Sequence, residues 1–151
     1  MPTDPLLSVS QRAFLEASRR AVLGTIAPDG QPRLVPICFV LVGESPILYT
    51  PIDDKPKRND DPLALARVRD IQADPRVTVL LDRWDEDWTR LAWLRVEGRA
   101  QLLDAAVGSE HANGIGALRA KYPQYEMHRL EHRPLIRVTL ERVSDWGLRQ
   151  G

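Results

Sequence analysis

The sequence predicts a mainly β protein: a six-stranded antiparallel barrel with two to three helices added to it. Three observations carry that expectation. Six stretches are rich in β-branched and apolar residues, several of them alternating apolar with polar side chains, as half-buried strands do. Turns between them hold hairpin chemistry, Asp29-Gly30 foremost. Helical periodicity is confined to three short windows, and a chain of this make-up folds as an antiparallel barrel with α-helical additions.

The elements follow in order. Ser8-Val9-Ser10-Gln11 has the form of a capping box, and Val9, Ala13, Phe14 and Ala17 continue at helical spacing, which predicts a helix over residues 8–18. Residues 21–26 and 33–42 read as two strands joined by Ala27-Pro28-Asp29-Gly30-Gln31-Pro32, where the Asp-Gly pair supplies the positive φ of a hairpin. Gly43-Glu44-Ser45-Pro46 turns the chain into a third strand, Ile47-Leu48-Tyr49-Thr50. A helix over residues 63–73 opens after Asp61-Pro62, buries Ala64, Val68 and Ile71, and ends at Pro75.

Residues 76–84 and 91–103 form the next hairpin. Its second arm sets Ala92, Leu94, Val96, Gly98, Ala100 and Leu102 against Trp93, Arg95, Glu97 and Arg99. Gly98 marks a bulge or a close backbone approach. A helix over 109–121 rests on His111, Ile115, Leu118 and Tyr122, weakened by Gly114 and Gly116. The last strand, 135–143, alternates Ile136, Val138 and Leu140 with Arg137, Thr139 and Glu141.

At 151 residues the chain makes one domain, residues 1–151, long enough to bury roughly 70% of its unfolded surface. Its 21 basic residues balance its 21 acidic ones, so no global field draws it onto nucleic acid or an anionic membrane, and any anion site must be local. The single cysteine, Cys38, excludes an intrachain disulfide and reads as a small buried hydrophobe in a reducing compartment. The apolar run around it is far short of a membrane span, and no basic-then-apolar leader opens the chain. A cytoplasmic location is the expectation.

The local anion site is expected after Thr50. There a short strand ends in a hydroxyl pair, Tyr49 and Thr50, followed by a loop with Lys55, Lys57 and Arg58 and then by a helix start near Arg67. A helix start offers unpaired N–H groups and the positive end of its dipole to an anion. Asp53, Asp54, Asp60 and Asp61 outnumber the loop's cations, the composition of an ordinary solvated loop, so its position is what makes it a candidate. Arg67 and Arg69 lie about 200° apart around a helix and cannot face one ligand.

Other motifs carry less. His128-Arg129-Leu130-Glu131-His132 fits the H-x-x-E-H zinc pattern, but it stops at Pro134 and has only Glu141 downstream as a third ligand; no metal site is expected. Gly114-Ile115-Gly116 lacks the third glycine of a dinucleotide fingerprint. With no placed acid–base pair, catalytic residues are unassigned, and the chemistry belongs to a bound cofactor.

Thr25 to Pro32, Leu48-Tyr49-Thr50, Asp74-Pro75-Arg76-Val77-Thr78-Val79-Leu80 and Val96-Glu97-Gly98-Arg99-Ala100, in that order, resemble the pyridoxamine-phosphate-oxidase-like split β-barrels. Within that family they resemble the actinobacterial F420-dependent oxidoreductase branch, FDOR-B. Lys121-Tyr122-Pro123-Gln124-Tyr125 looks like a further subgroup feature.

The resemblance implies an FMN-binding split barrel, a homodimer with two cofactor sites at its interface, and hydride transfer from reduced deazaflavin to a small conjugated substrate. It places Leu34-Val35-Pro36-Ile37 along the cofactor ring through backbone groups and a phosphate-binding basic residue at Arg67; Tyr49, Thr50 and Trp93 are expected on the cofactor too, with Lys55, Lys57 and Arg58 pairing with the phosphodiester and polyglutamate charges of a deazaflavin. Trp88 and Trp146 then line the substrate pocket, into which Trp93 also reaches; core packing explains the tryptophans equally well. In the flavin-mononucleotide branch the second strand brings an Arg and a Lys to the cofactor; here those positions hold Val35 and Val40, so much of the flavin phosphate grip is missing. FMN dependence on the same fold is the alternative, and a non-catalytic carrier of deazaflavin or haem is the third reading, haem requiring His111, His128 or His132 as axial ligand.

Overall fold

The computed structural model describes residues 6–52, 65–105 and 108–148. Helix α1 (Val9–Ala17) is closed by the expected capping box, Ser8 Oγ accepting from the Gln11 N–H at 3.1 Å and Gln11 Oε1 from the Ser8 N–H at 2.9 Å. Strands β1 (Ala21–Ile26) and β2 (Pro32–Ile37) form the hairpin. Gly30 takes φ 85° at its turn, where an L side chain would be strained. Then come β3 (Val40–Val42), β4 (Ile47–Thr50), α2 (Ala66–Ala73), β5 (Arg76–Arg83), β6 (Ala92–Leu103), α3 (Gly108–Lys121) and β7 (Leu135–Trp146).

Seven strands are therefore present among the described residues, where the sequence predicted six. The predicted strand 33–42 breaks at Cys38-Phe39, and its halves pair with different neighbours. All pairings are antiparallel, in the order β2-β1-β5-β6-β7-β4-β3. The two edge strands are thus consecutive in sequence and separated by two residues. Two residues cannot span a flat seven-stranded sheet some 28 Å wide, so the sheet must curl until its edges nearly meet. The resulting half-barrel is the expected split form.

Tyr122 sits at the split. Its hydroxyl accepts the Phe39 N–H at 3.2 Å, and its proton is directed to the carbonyls of Arg19 at 2.9 Å and Phe39 at 3.1 Å. A side chain thus satisfies backbone groups that the interrupted ladder leaves open.

Inside the curl lies the main core, built from Leu23, Phe39, Leu48, Val79, Leu94, Val96 and Val138 with α2 contributing Val68 and Ile71. A second cluster, Val40, Tyr49, Ile115, Leu118, Tyr125, Leu130 and Leu135, fixes α3 to the other side of β3 and β4. Along β6 the alternation is as read from sequence, with Ala92, Leu94, Val96, Gly98 and Ala100 buried. A register shift falls between Glu97 and Gly98. A Cβ at Gly98 would sit 2.1 Å from the Thr139 carbonyl oxygen, so only glycine fits the close approach expected there. The glycines that weaken α3 on paper have different fates. Gly114 lets the helix settle on Tyr49 and Leu135, while Gly116 faces open space.

Helix α2 begins at Ala66, later than the expected residue 63; Ala64 lies outside the described residues. No described helix is long and apolar enough to cross a membrane.

Candidate functional site

The residues expected to form the site fall on the end of β4, the start of α2 and the edge strand β2. In a strand, neighbouring side chains point to opposite faces, and this separates the two hydroxyls read as a pair. Thr50 shares its face with Leu48, in the main core. Tyr49 turns to the second cluster, where its hydroxyl donates to Glu110 Oε1 at 2.7 Å. One ligand cannot take both hydroxyls, because alternation along β4 points them apart. Burial, then the neighbouring Glu110 carboxylate, pushes the Tyr49 phenol up to about 12. Arg137 donates to the same carboxylate and, with Tyr49, holds it below its usual range.

Thr50 is different. It is 1% exposed, and its Oγ1 has no hydrogen-bond partner among the described residues. A buried hydroxyl left so costs free energy unless something binds it. Lys55, Lys57 and Arg58 follow in sequence and lie outside the described residues. At the start of α2 the N-cap residue, Leu65, makes no side-chain cap bond. Arg67, in that first turn, is half-buried with its Nε shut away from solvent, whereas Arg69 is exposed.

What holds α2 against the sheet was not read from the sequence. Asp70 is 2% exposed, and one of its oxygens accepts from Thr25 Oγ1 and from Arg33 Nε, each at 2.7 Å. The signal available was its position three residues after Arg67, beside Ile71 on the buried arc. This carboxylate joins α2 to β1 and β2 and so fixes the helix start relative to the edge strand.

Among the described residues strand β2 pairs only with β1. Proline has no N–H, so Pro32 and Pro36 turn their missing donors to the open edge, and the ladder is carried by Arg33, Val35 and Ile37. Leu34, of the same parity as the prolines, points its N–H and carbonyl outward as well. The open edge therefore offers one N–H, that of Leu34, among the carbonyls of Pro32, Leu34 and Pro36. The Leu34 side chain is 70% exposed and lies across Gly24, while Ile37 is buried in the core.

The tryptophans gather elsewhere. Trp93 and Trp146 are cross-strand partners on β6 and β7, and the Arg95 guanidinium lies 5.4 Å from the Trp93 ring centre. Trp88, in a short 3-10 turn, packs edge-on to Trp84 at 6.5 Å; both are largely exposed. The anion end is at the far end of the same strands, since Thr50 pairs with Ile136 and Ile136 with Leu102. Leu102 follows Trp93 by nine positions of β6, about 30 Å along it at the rise of a strand. Thr50 and the tryptophan pair Trp93 and Trp146 therefore lie toward opposite ends of β6 and β7.

The remaining motifs are structural. His128 closes one 3-10 turn and His132 another, so the two are not a helical turn apart, and Glu131 is ion-paired with Arg119. His111 is buried, with Nε2 2.6 Å from the Arg133 carbonyl. No cluster of metal-ligating side chains occurs among the described residues.

The family model described as pyridoxamine 5'-phosphate oxidase matches residues 9–147. No curated protein matches the sequence. Among solved structures, the conserved hypothetical protein Rv2991 of Mycobacterium tuberculosis superposes with a TM-score of 0.71 at 22% identity, over 96% of this chain and 88% of that one. A FAD-binding protein of Mesorhizobium loti gives 0.62 at 23% identity, over 92% and 94%. A protein named F420 reductase gives 0.63 at 21%, over 88% and 94%. At these identities the likeness shows the fold.

Proposed function

The chain belongs to the pyridoxamine 5'-phosphate oxidase family, and from that premise we propose that it is a coenzyme F420-dependent oxidoreductase working as a homodimer. The observation that carries the binding mode is the buried Thr50 hydroxyl, without a hydrogen-bond partner among the described residues, just ahead of the loop that holds Lys55, Lys57 and Arg58. It supports an anion held between β4 and α2, the Thr50 hydroxyl donating to it and Lys55, Lys57, Arg58 and Arg67 supplying positive charge. The open edge of β2 suits the pyrimidine side of a deazaflavin, which presents both carbonyl and N–H groups to backbone partners. Bound there, the deazaflavin supplies a hydride; the chain's part is to grip the charged tail, orient the ring along Leu34-Val35-Pro36-Ile37 and keep water away.

The separation along β6 of Thr50's neighbour Leu102 from Trp93, about 30 Å of strand, is the reason to propose a dimer, in which Trp93, Trp146 and Trp88 of one protomer close the pocket over the other's cofactor. Exposed tryptophans and Leu34 are the residues such an interface buries. An aromatic pocket suits flat, conjugated substrates. FMN use on the same scaffold is the second reading, favoured by the fold shared with a FAD-binding protein.

Equilibrium titration of the purified protein with F420 and with FMN, at low and high salt, tests the proposal. Tighter F420 binding that weakens with salt is expected, as is a loss of about tenfold or more for Lys57→Ala and Arg67→Ala. Preference for FMN would overturn the cofactor, and unchanged F420 affinity in both variants would overturn the binding mode.

A further inference from the structure

We propose that the turn between β5 and β6 is a recognition site for flat organic cations, so that the conjugated substrate of the reaction proposed above carries a positive charge. The inference deepens that reading and rests on it only for the ligand's role as substrate. The binding itself follows from the side chains of residues 83–90.

Trp84 and Trp88 are 64% and 69% exposed, and two large aromatic side chains left side by side in solvent mark a binding surface. Their ring planes meet at 64° with centres 6.5 Å apart, so the open faces make two walls of a corner. A flat molecule can stack on one wall and set its edge against the other. The face of an indole carries negative charge density and attracts a cation. The Trp84 indole N–H donates to Glu86 Oε1 at 3.0 Å, which puts a carboxylate at the rim of that ring and strengthens the pull of its face on positive charge.

Charge around the corner is of one sign. Asp85, Glu86 and Asp87 stand between the two tryptophans, and Glu86 and Asp87 form no ion pair among the described residues. Asp87 accepts from the Thr89 hydroxyl at 2.7 Å and from the Thr89 N–H at 3.1 Å, bonds that hold its carboxyl below the usual range and so keep it charged. The turn's two guanidiniums have other partners. Arg83 Nε donates to the Arg90 carbonyl at 2.8 Å, its guanidinium 5.8 Å from the Phe14 ring centre, and Arg90 Nε lies 3.5 Å from Asp85 Oδ2. A cation entering the corner therefore meets two ring faces and carboxylates still without a counter-ion, whereas an anion of the same shape is repelled by Glu86 and Asp87. The chain makes the same kind of contact once at this end of the sheet, where Arg95 sits by Trp93.

The test is to titrate the purified protein with 1-methylquinolinium, with quinoline at pH 8, where it is neutral, and with 1-naphthoate. These are flat two-ring molecules of different charge. Binding is followed on the tryptophan indole N–H signals by nitrogen-15 NMR, assigned with Trp84→Phe and Trp88→Phe. The cation should move the Trp84 and Trp88 signals and bind about tenfold or more tighter than quinoline, with 1-naphthoate weaker still, and its affinity should fall as salt is raised. Glu86→Gln keeps an acceptor for the Trp84 indole and removes only the charge; it should weaken the cation about threefold or more and leave quinoline unchanged. Equal affinity for 1-methylquinolinium and quinoline, cation affinity unaltered in Glu86→Gln, or shifts confined to Trp93 and Trp146 would each overturn the proposal. No F420 enters this titration, so its failure leaves the cofactor reading as it stands, while a failed F420 titration leaves the cation site and removes only its role as the substrate's seat.

Discussion

Gly98 and Gly116 show how far a residue's surroundings, more than its type, decide what it contributes. At Gly98 any Cβ meets the Thr139 carbonyl oxygen at 2.1 Å, a backbone atom in the middle of a ladder that cannot step aside. Gly98→Ala should therefore lower stability by about 2 kcal/mol or more, read as a shift of the urea midpoint. Gly116 is exposed on α3 with nothing within 4 Å of its Cβ position. Gly116→Ala should raise the midpoint, by about 0.5–1 kcal/mol, because it removes unfolded-state freedom and meets no atom. Asp70 makes the same point for charge. It is buried, satisfied by Thr25 and Arg33, and its removal would leave an arginine and a hydroxyl without the acceptor that now orders them.

At the scale of elements, the chain between β2 and β3 is the joint on which the fold turns. Cys38 and Phe39 lie between two edge strands that do not pair with each other, and Tyr122 substitutes one hydroxyl for the missing ladder. Tyr122→Phe keeps the ring and its contacts with Arg19 and Lys121 but deletes those bonds. A loss of about 1–2 kcal/mol is expected, with faster hydrogen exchange at the Phe39 amide; unchanged exchange there would mean that the joint is held by packing alone. Helix α3 is tied on through Tyr49, Glu110 and Arg137. Because its partners hold the Glu110 carboxylate below its ordinary 4.5, the folded state favours the charged form. That contribution is complete above the ordinary value and disappears as pH falls through the lowered one. The stability difference between wild type and Glu110→Gln should accordingly shrink as the medium is acidified below about pH 4.5, and a difference constant down to pH 3 would contradict the linkage.

For the whole molecule, the separation of the two half-sites leads to a test that needs no substrate. Arg67→Ala damages the anion end and Trp93→Ala the aromatic end, and in the proposed dimer each site takes one end from each chain. Mixing the two variants and allowing subunits to exchange gives half heterodimers, each with one undamaged site. F420 binding should return to about a quarter of the wild-type sites, though neither variant binds well alone. No recovery in a mixture shown to contain heterodimers would place both ends of the site in one chain.

Much of this was legible in the sequence because it depends on local rules. Period-two alternation located β6 and β7, Asp-Gly located the first hairpin with β1 as its first arm, and the capping box began α1 within a residue of its observed start. Gly98 was marked as a close approach because glycine in a strand has few other reasons to be there. Helix geometry alone shows that Arg67 and Arg69 cannot face one ligand, and in the structure Arg67 is half-buried while Arg69 is exposed. What the sequence could not show depends on which strands meet after the chain has folded. The break at Cys38-Phe39 is invisible in an unbroken apolar run, since each half is a good strand and only the sheet's curl assigns them to opposite edges. Tyr49 and Thr50 looked like a pair because they are adjacent, although alternation sends their hydroxyls to different clusters once both faces of β4 are covered. The Asp70 bridge joins residues 37 and 45 positions apart, and the distance from Thr50 to the tryptophans exists only in three dimensions. Side-chain period and turn chemistry are properties of neighbouring residues, whereas partnership across a closed sheet is decided by the whole chain at once.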